Sequence, residues 1–204
     1  MSDSNGSDKL PIAVFLSGSG RTLANLIEHR DRHDLPIDIR LVISSRSDVR
    51  GVQIAREAGI ETLVVRQRDY PDANGYSAAM FAPLGERKIE YVVMAGFLRH
   101  VLIPDAFENR VLNIHPSLLP GFGGQGMYGH HVHAAAIERG VKITGCTVHF
   151  VDNEYDNGPI LHQRACPVLA DDTPDTLAAR VFEQECLALP EAIRMLAGDL
   201  RNSV

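Results

Sequence analysis

Short apolar runs alternate with helical stretches through the first half of the chain. Five compact runs, rich in β-branched residues, have the length and character of strands buried on both faces: 11–17, 38–45, 61–66, 91–96 and 111–115. Predicted helical stretches separate the first four of these runs, near 21–33, 49–58 and 72–88. This order predicts an α/β protein with an open, mostly parallel, twisted sheet and helices on both faces. Such sheets bind ligands at the carboxyl ends of their strands.

The pattern of hydrophobic positions changes after residue 116. A glycine-rich loop, PGFGGQGMYG at 120–129, precedes a predicted helix near 130–139. Two longer apolar runs follow, at 142–152 and 158–169, and a polar connection joins them. This arrangement predicts an antiparallel strand pair in the C-terminal part of the chain.

The closing stretch, 171–196, has the spacing of one long helix. Thr173 is placed to cap its first turn, and Pro190 is expected to kink or break it. Glu185 falls in the middle of the apolar stripe, where a carboxylate is costly unless something pairs with it. A hydrogen bond from a ligand amine or hydroxyl, or a buried salt bridge with Arg180, would offset that cost. The stripe consists of Leu177, Val181, Ala188, Leu189, Ala192 and Leu196.

The composition is that of a folded protein of 204 residues, and we expect a flexible arm over 1–10 and a single domain over 11–204. The net charge is -6 and there is no basic tract, which argues against nucleic acid as a partner. The sequence contains neither a run long enough to span a membrane nor a secretory signal pattern, so we expect no membrane partner and a cytoplasmic location. Three cysteines without Cys-x-x-Cys spacing indicate reduced packing residues.

A glycine pair marks the end of the first predicted strand, in LSGSGRTL at 16–23. Gly18 and Gly20 precede a helix, and the free amides of a helix N-terminus can bind a phosphate. Leu23 stands where the dinucleotide fingerprint requires a third glycine, so a nicotinamide cofactor is disfavoured. The glycines therefore indicate either a site for a single phosphate or a tight turn that needs glycine.

Two polar side chains interrupt the run VLNIH at 111–115. Because side chains alternate along a strand, Asn113 and His115 lie on the same face of the strand end. Both can donate hydrogen bonds to one oxygen, as oxyanion stabilisation requires, although His115 could instead brace the turn at Pro116. Asp156, in the turn NEYDNGP, could stabilise the charged form of an imidazole, or it could be an ordinary turn residue.

Two further polar clusters are given structural interpretations. The histidines of GHHVH at 129–133 have no Cys or acidic partner at ligand spacing, so we interpret them as a solvated helix start and expect no metal. Arg66 and Arg68 are interpreted as the solvated end of a strand.

Three motifs occur together in the order found in the folate-dependent formyltransferases: AGFLR at 95–99, NIHPSLLP at 113–120 and GCTVHFVDNEYDNGPI at 145–160. The chain resembles this family from about residue 11 to about residue 199. The resemblance implies a Rossmann-like fold and transfer of a formyl group from 10-formyltetrahydrofolate to the amine of glycinamide ribonucleotide, in purine biosynthesis. It implies that the folate is a cosubstrate, that no cofactor is bound tightly, and that the protein is a monomer or homodimer.

The resemblance also implies roles for individual residues. Catalysis falls on Asn113, His115 and Asp156. Ribonucleotide binding falls on Gly20, Arg21, Thr22, Leu23 and Glu185. Folate binding falls on Leu98, Arg99, His100, Val101, Asn113, Val151 and Asp156. Relatives usually have Ser-Asn at the positions of Arg21 and Thr22, so the contacts of these two side chains differ from the family pattern.

Three other functions compete with this interpretation. Formyltetrahydrofolate hydrolase uses similar catalytic residues with water as the nucleophile, but it normally carries an N-terminal regulatory domain, and only about ten residues precede the first predicted strand. Methionyl-tRNA formyltransferase needs a second domain and a basic surface. A non-catalytic folate- or nucleotide-binding module would have little use for Asn113, His115 and Asp156 together.

Overall fold

The computed structural model describes residues 9–202, which divide into two compact units. The first unit holds the described residues up to Arg99 together with those from Ile193 onward, and the second is His100–Ala192. The expected arm at 1–10 falls largely outside the described residues, and Leu10 already belongs to the first strand. Among residues 9–202, no helix is both long and apolar enough to cross a membrane.

The first unit contains a parallel sheet with the order β3-β2-β1-β4. Its strands are β1 (Leu10–Leu16), β2 (Ile37–Ser44), β3 (Thr62–Val64) and β4 (Tyr91–Met94). Its helices between strands are α1 (Arg21–Arg32), α2 (Arg50–Glu57) and α3 (Ala73–Glu86). The parallel strand-helix alternation predicted from the sequence is confirmed.

The strand order explains why helices cover both faces of this sheet. The chain steps from β1 to β2 to β3 in one direction and then crosses back to β4 on the other side of β1. Because such crossovers are right-handed, α1 and α2 lie on one face, where they contact each other, and α3 lies on the opposite face. Every residue of β1 is buried, which accounts for its uninterrupted apolar sequence.

The second unit is built on three antiparallel strands in the order β5-β6-β7. They are β5 (Val111–His115), β6 (Ile143–Phe150) and β7 (Ile160–Pro167), and helix α4 (His130–Arg139) precedes β6. The predicted antiparallel pair is β6 with β7. Within residues 9–202, β7 pairs with β6 alone, so its outer side is a free strand edge.

Helix α5 (Pro174–Asn202) closes the described chain. The amide of Thr176 donates to Oγ1 of Thr173 at 3.2 Å, which confirms the predicted cap. Of the two outcomes expected at Pro190, the break is wrong, because α5 runs through it without interruption, and the kink stays a prediction. Pro190 is itself buried, so apolar packing along the stripe outweighs the backbone hydrogen bond that proline lacks. All six predicted stripe residues are buried: Leu177, Val181, Ala188, Leu189, Ala192 and Leu196.

Candidate active site

Strand β5 presents Asn113 and His115 on one face, as the alternation predicts. In the antiparallel register, Asn113 is paired with His149 of β6, and His115 with Thr147. His115 is only 3 % exposed. The strand therefore fixes a half-buried amide and a buried imidazole side by side.

The hydrogen bonds of His115 determine which ring nitrogen can serve a substrate. Nε2 lies 2.9 Å from the carbonyl oxygen of Phe122. A carbonyl only accepts hydrogen bonds, so Nε2 carries a hydrogen. Nδ1 lies 3.4 Å from Oδ2 of Asp156. A hydrogen on Nδ1 as well makes the ring an imidazolium. At 3.4 Å the carboxylate is a distant acceptor, so this second hydrogen can also be donated to a substrate oxygen.

Asp156 is held in place by the glycine-rich loop. Its Oδ2 accepts the amide hydrogen of Gly124 at 2.9 Å, and its side chain is only 13 % exposed. The backbone of Asp156 has a φ of 53°, in the left-handed region. A residue other than glycine costs roughly 1 kcal/mol or more there, and such strain tends to occur at functional sites. The structure thus brings Asp156 to His115, which sequence spacing could not establish.

His149 was not among the predicted site residues, yet it contacts two of them. Its Nδ1 lies 2.9 Å from the carbonyl oxygen of Phe150, so Nδ1 carries the hydrogen and Nε2 has a lone pair. Nδ2 of Asn113 donates to that Nε2 at 3.2 Å, and Oδ1 of Asp156 lies 3.7 Å away. Burial lowers the pKa of His149, which favours the neutral ring that this hydrogen bond requires.

The contact between His149 and Asn113 fixes the orientation of the amide. One hydrogen of Nδ2 points to His149, and the second remains as a donor for another group. The sequence signal that could have identified His149 is its place in the motif GCTVHFVDNEYDNGPI at 145–160. Cross-strand register cannot be read from the separate strand sequences, so the pairing was not predictable.

These contacts suit the site to stabilising negative charge that develops on an oxygen. Asn113 and His115 can each supply one hydrogen to an oxygen that gains negative charge. Asp156 can stabilise the imidazolium and accept or pass on a proton. Donors fixed in a low-dielectric site are the usual means of stabilising a tetrahedral oxyanion.

The glycine loop of the first unit has a tight backbone geometry. Gly20 has a φ of +73°, and a Cβ on it would overlap Cα of Gly51 at the start of α2. The amide of Gly51 also donates to the carbonyl of Gly18 at 3.1 Å. These contacts explain the glycine at position 20 without a ligand, so the predicted phosphate site stays a prediction.

The residues after Gly20 form the first turn of α1. Amides at the first three helical positions have no acceptor within the helix, and here these belong to Arg21, Thr22 and Leu23. The side chain of Leu23 is fully buried, so only its amide could face a ligand, whereas Arg21 is exposed.

The segment predicted to contact the folate is fixed at both ends. In the first unit, the amide of Leu98 donates to Oγ of Ser17 at 3.0 Å, and Arg99 is exposed. In the second unit, Val101 is buried, and the ring of His100 lies against that of Tyr155, with centroids 5.0 Å apart.

The turn predicted to share the folate site is anchored nearby in the second unit. The amide of Val151 donates to the carbonyl of Val111 at 2.8 Å, and the amide of Ile103 donates to Oδ1 of Asn153 at 2.8 Å. The structure thus brings the 100–103 segment together with the turn that carries Asp156.

Glu185 lies on α5, half-buried, close to Cys146 of β6. Burial foremost, and then the charge of Glu185, raise the pKa of the Cys146 thiol to about 12. Arg180, considered as a partner for Glu185, forms a two-pronged ion pair with Asp172, with distances of 2.6 and 2.9 Å. The ribonucleotide contact of Glu185 stays a prediction.

The histidines at the start of α4 are only partly solvated. His130 is exposed and lies 3.2 Å from Asp175. His133 is buried, and burial lowers its pKa, so the interpretation of this segment as a solvated helix start is wrong at His133, which packs inward. Among residues 9–202, no cluster of three or more His, Cys, Asp or Glu side chains has the arrangement of a metal site.

Comparison with known proteins identifies relatives that match more than nine tenths of the chain. The family model for formyl transferase matches residues 10–193. The chain is 39 % identical over 192 residues to the trifunctional purine biosynthetic protein adenosine-3 of Gallus gallus, covering 93 % of this chain and 19 % of that protein. It is 40 % identical over 191 residues to the chloroplastic phosphoribosylglycinamide formyltransferase of Vigna unguiculata, covering 91 % of this chain and 60 % of that protein.

Solved structures share the architecture as well. The crystal structure of glycinamide ribonucleotide transformylase 1 from Symbiobacterium toebii superposes with a TM-score of 0.88 at 38 % identity, covering 97 % of this chain and 94 % of that one. The Brucella melitensis phosphoribosylglycinamide formyltransferase gives a TM-score of 0.83, also at 38 % identity, covering 93 % of this chain and 96 % of that one. The chain spans between about a fifth and three fifths of the two curated relatives described above.

Proposed function

Since the chain belongs to the formyl transferase family, we propose that it transfers the formyl group of 10-formyltetrahydrofolate to the amine of glycinamide ribonucleotide, in de novo purine biosynthesis. Relatives named for this reaction match more than nine tenths of the chain. The observation that carries the proposal is the grouping of Asn113, His115 and Asp156, with Nδ1 of His115 facing the carboxylate at 3.4 Å.

The reaction needs a weakly basic amine to attack the formyl carbon. Attack forms a C–N bond and moves an electron pair onto the formyl oxygen, which becomes a tetrahedral oxyanion. The free hydrogen on Nδ2 of Asn113 donates to this oxygen. The hydrogen on Nδ1 of His115 is shared between this oxygen and the Asp156 carboxylate, which at 3.4 Å is too distant to hold it in a strong hydrogen bond. Because the amide and the ring are already held by His149 and Phe122, little reorganisation accompanies the charge development.

Collapse of the adduct completes the transfer. The bond between the formyl carbon and N10 of the folate breaks, the attacking amine loses one proton, and N10 gains one. Asp156 stabilises the imidazolium and assists this proton transfer, directly or through water. The enzyme forms no covalent intermediate, and the folate is a cosubstrate that leaves after each turnover.

The phosphate of the ribonucleotide is assigned to the first-turn amides of α1, from Arg21 to Leu23, and Glu185 to its ribose or amine end. A helix N-terminus binds phosphate through its amides and its dipole, and so needs no particular side chain at Arg21 or Thr22. The cytoplasmic location, the monomeric or homodimeric state and the absence of nucleic-acid, membrane and metal partners stay predictions from the sequence.

One assay separates transfer from its closest alternative, hydrolysis. The purified protein is given 10-formyltetrahydrofolate with and without glycinamide ribonucleotide, and folate absorbance and product mass are followed together. We expect slow formate release without the ribonucleotide and, with it, one formylated product for each tetrahydrofolate. Formate release that is equally rapid with and without the ribonucleotide would indicate a hydrolase. No turnover in either condition would indicate a binding module.

A further inference from the structure

One row of side chains crosses the three strands of the second unit. His115 of β5 is paired with Thr147 of β6, and Thr147 is paired with Gln163 of β7. Directly paired residues carry their side chains on the same face of a sheet, about 5 Å apart. Among residues 9–202, β7 is the last strand on this side, so the row leads from a buried histidine to an exposed glutamine at the free edge of the sheet.

The hydroxyl of Thr147 makes every hydrogen bond that a hydroxyl can make. Its Oγ1 donates to the carbonyl oxygen of Ser117 at 2.7 Å. The same atom accepts from the amide of Leu119 at 3.0 Å and from Nε2 of Gln163 at 2.9 Å. One donated and two accepted bonds exhaust the group. Because Thr147 is fully buried, removal of a partner would leave a polar atom unsatisfied.

Both hydrogens on Nε2 of Gln163 are used inside the protein. One is donated to Oγ1 of Thr147 and the other to the carbonyl oxygen of Leu119 at 3.1 Å. Neither acceptor has a hydrogen to give in return, since a carbonyl only accepts and the hydroxyl hydrogen of Thr147 is committed to Ser117. The orientation of the Gln163 amide is therefore fixed, with its nitrogen turned inward.

Residues 117–124, here called the anchoring segment, hold two of the groups assigned to catalysis. The carbonyl of Phe122 accepts from Nε2 of His115 at 2.9 Å. The amide of Gly124 donates to Oδ2 of Asp156, also at 2.9 Å. A displacement of this segment would thus disturb the imidazole and the carboxylate together.

The start of the anchoring segment is connected directly to its end. Oγ of Ser117 donates to the carbonyl oxygen of Gly121 at 2.5 Å. A Cβ at Gly123 would lie 2.5 Å from Cδ2 of Leu119, so the Leu119 side chain packs closely against the backbone of Gly123. The hydrogen bond from Gln163 to the carbonyl of Leu119 therefore fixes a residue on which the end of the segment rests.

We propose that Gln163 is a positioning residue for formyl transfer, which it supports from the edge of the sheet by holding the anchoring segment against His115 and Asp156. The inference rests on the proposed function. The sequence gives no sign of this role, because the role arises from the register between β6 and β7.

The first test is kinetic and uses Gln163→Met, which keeps the length of the side chain and removes both hydrogens. We expect kcat to fall about fivefold, the ratio that one net hydrogen bond supplies, with both KM values within about twofold of wild type. Gln163→Glu is a second loss variant, because an ionised carboxylate has the same shape and nothing to donate. Gln163→Lys restores a donor on an unbranched chain and should recover kcat to within about twofold of wild type.

A control and a double variant separate positioning from other effects. Gln53→Met is the matched control, because Gln53 is an exposed glutamine of α2 in the first unit, and it should keep wild-type kcat. Thr147→Val removes the hydroxyl through which Gln163 acts. The double variant Gln163→Met/Thr147→Val should therefore lose less kcat than the product of the two single losses. A loss equal to that product would overturn the shared route.

The second test observes His115 without any substrate. Magnetic resonance of protein carrying ¹⁵N-labelled histidine follows the exchange with water of the hydrogen on Nε2 of His115, which is identified by its loss in His115→Ala. In Gln163→Met we expect this exchange to be about fivefold faster, because the carbonyl of Phe122 is held less firmly. The hydrogen on Nδ1 of His149 is bound to the carbonyl of Phe150 and should keep its wild-type rate.

The two tests fail in different ways. Wild-type kcat in both loss variants would overturn the proposal. Equal acceleration of exchange at His115 and His149 would also overturn it, because it would show a general loosening of the sheet. If the wild-type chain showed no formyl transfer, the proposed function would fail, and the exchange comparison would still decide the role of Gln163. Acceleration confined to His115 would support that role, and an unchanged rate at His115 would overturn it.

Discussion

At the scale of single residues, the imidazole of His115 offers only one of its nitrogens to a substrate. Nε2 is committed to the carbonyl of Phe122, so the useful hydrogen is the one on Nδ1. We expect His115→Ala to lower kcat on the order of a hundredfold or more, because an oxyanion donor acts in the transition state. The KM values should change little, and steady-state kinetics of formyl transfer measures both.

His33→Ala is the control that distinguishes the loss of kcat in His115→Ala from a general effect of removing a histidine. His33 is an exposed residue just after α1, so His33→Ala should keep wild-type kinetics. Near-normal turnover in His115→Ala would contradict the mechanism.

His149 is a positioning residue for Asn113. Replacing it with leucine removes the acceptor that orients the amide, and we expect kcat to fall about tenfold, roughly 1.4 kcal/mol of transition-state stabilisation. Gln can accept the same hydrogen bond, so His149→Gln should recover part of kcat. A purely structural role would instead lower the melting temperature of both variants equally and leave the kcat of the folded fraction unchanged.

Some residues of the site could be predicted from the sequence and others could not. Asn113 and His115 were predictable, because strand alternation alone puts them on one face. The approach of Asp156 was not, because it depends on a left-handed backbone at that residue and on the amide of Gly124. His149 was not predicted, because its contact with Asn113 depends on the register between β5 and β6.

At the scale of elements, the predicted strands and helices agree with the observed ones to within a few residues. Strand β5 was predicted with its observed bounds, since apolar residues and a following proline delimit it. The predicted break of α5 at Pro190 is wrong, because tertiary packing outweighs the local cost of proline.

The turn between β6 and β7 carries Asp156 and depends on Gly158. A Cβ at this position would overlap the carbonyl oxygen of Phe150, which is backbone and cannot easily move. We expect Gly158→Ala to destabilise the protein by roughly 1–3 kcal/mol and to lower kcat, because the turn must shift. Thermal unfolding and steady-state kinetics measure the two effects.

Gly85→Ala is the matched control for that substitution. A Cβ at Gly85 meets no atom within 4 Å, and the residue lies inside helix α3. The change should raise stability by up to about 1 kcal/mol, because glycine loses more backbone entropy in a helix than alanine does. A Gly158→Ala protein as stable and active as this control would refute the steric account.

At the scale of the whole molecule, buried histidines should make stability depend on pH. Burial lowers the pKa of His133 and His149 below the ordinary value of 6.5. As pH falls through 6.5, the unfolded chain takes up protons that the folded chain does not, so stability decreases. Denaturant titrations from pH 8 to pH 5 should record this loss, and His133→Phe should reduce the slope. A slope unchanged in that variant would exclude His133 as a source.

Alkaline conditions should lower stability for the opposite reason. Burial raises the pKa of the Tyr76 hydroxyl from 10.0 to about 12, and that of the Cys146 thiol from 9.0 to about 12. Between the unfolded and folded values, the unfolded chain has lost protons that the folded chain keeps, so stability declines as pH rises above 9. Together the two effects place maximum stability between about pH 7 and pH 9.

The free edge of β7 bears on how the molecule behaves at high concentration. An unpaired strand edge is a template on which a second chain can add, which is the first step of aggregation. Along β7, His162 and Arg164 both contact Glu191 of α5, at 2.9 and 3.0 Å, and Pro167 at the end of the strand lacks an amide hydrogen. Charge and proline at an edge oppose strand addition. The same side chains that join β7 to α5 therefore also oppose strand addition at this edge, and their loss would favour self-association.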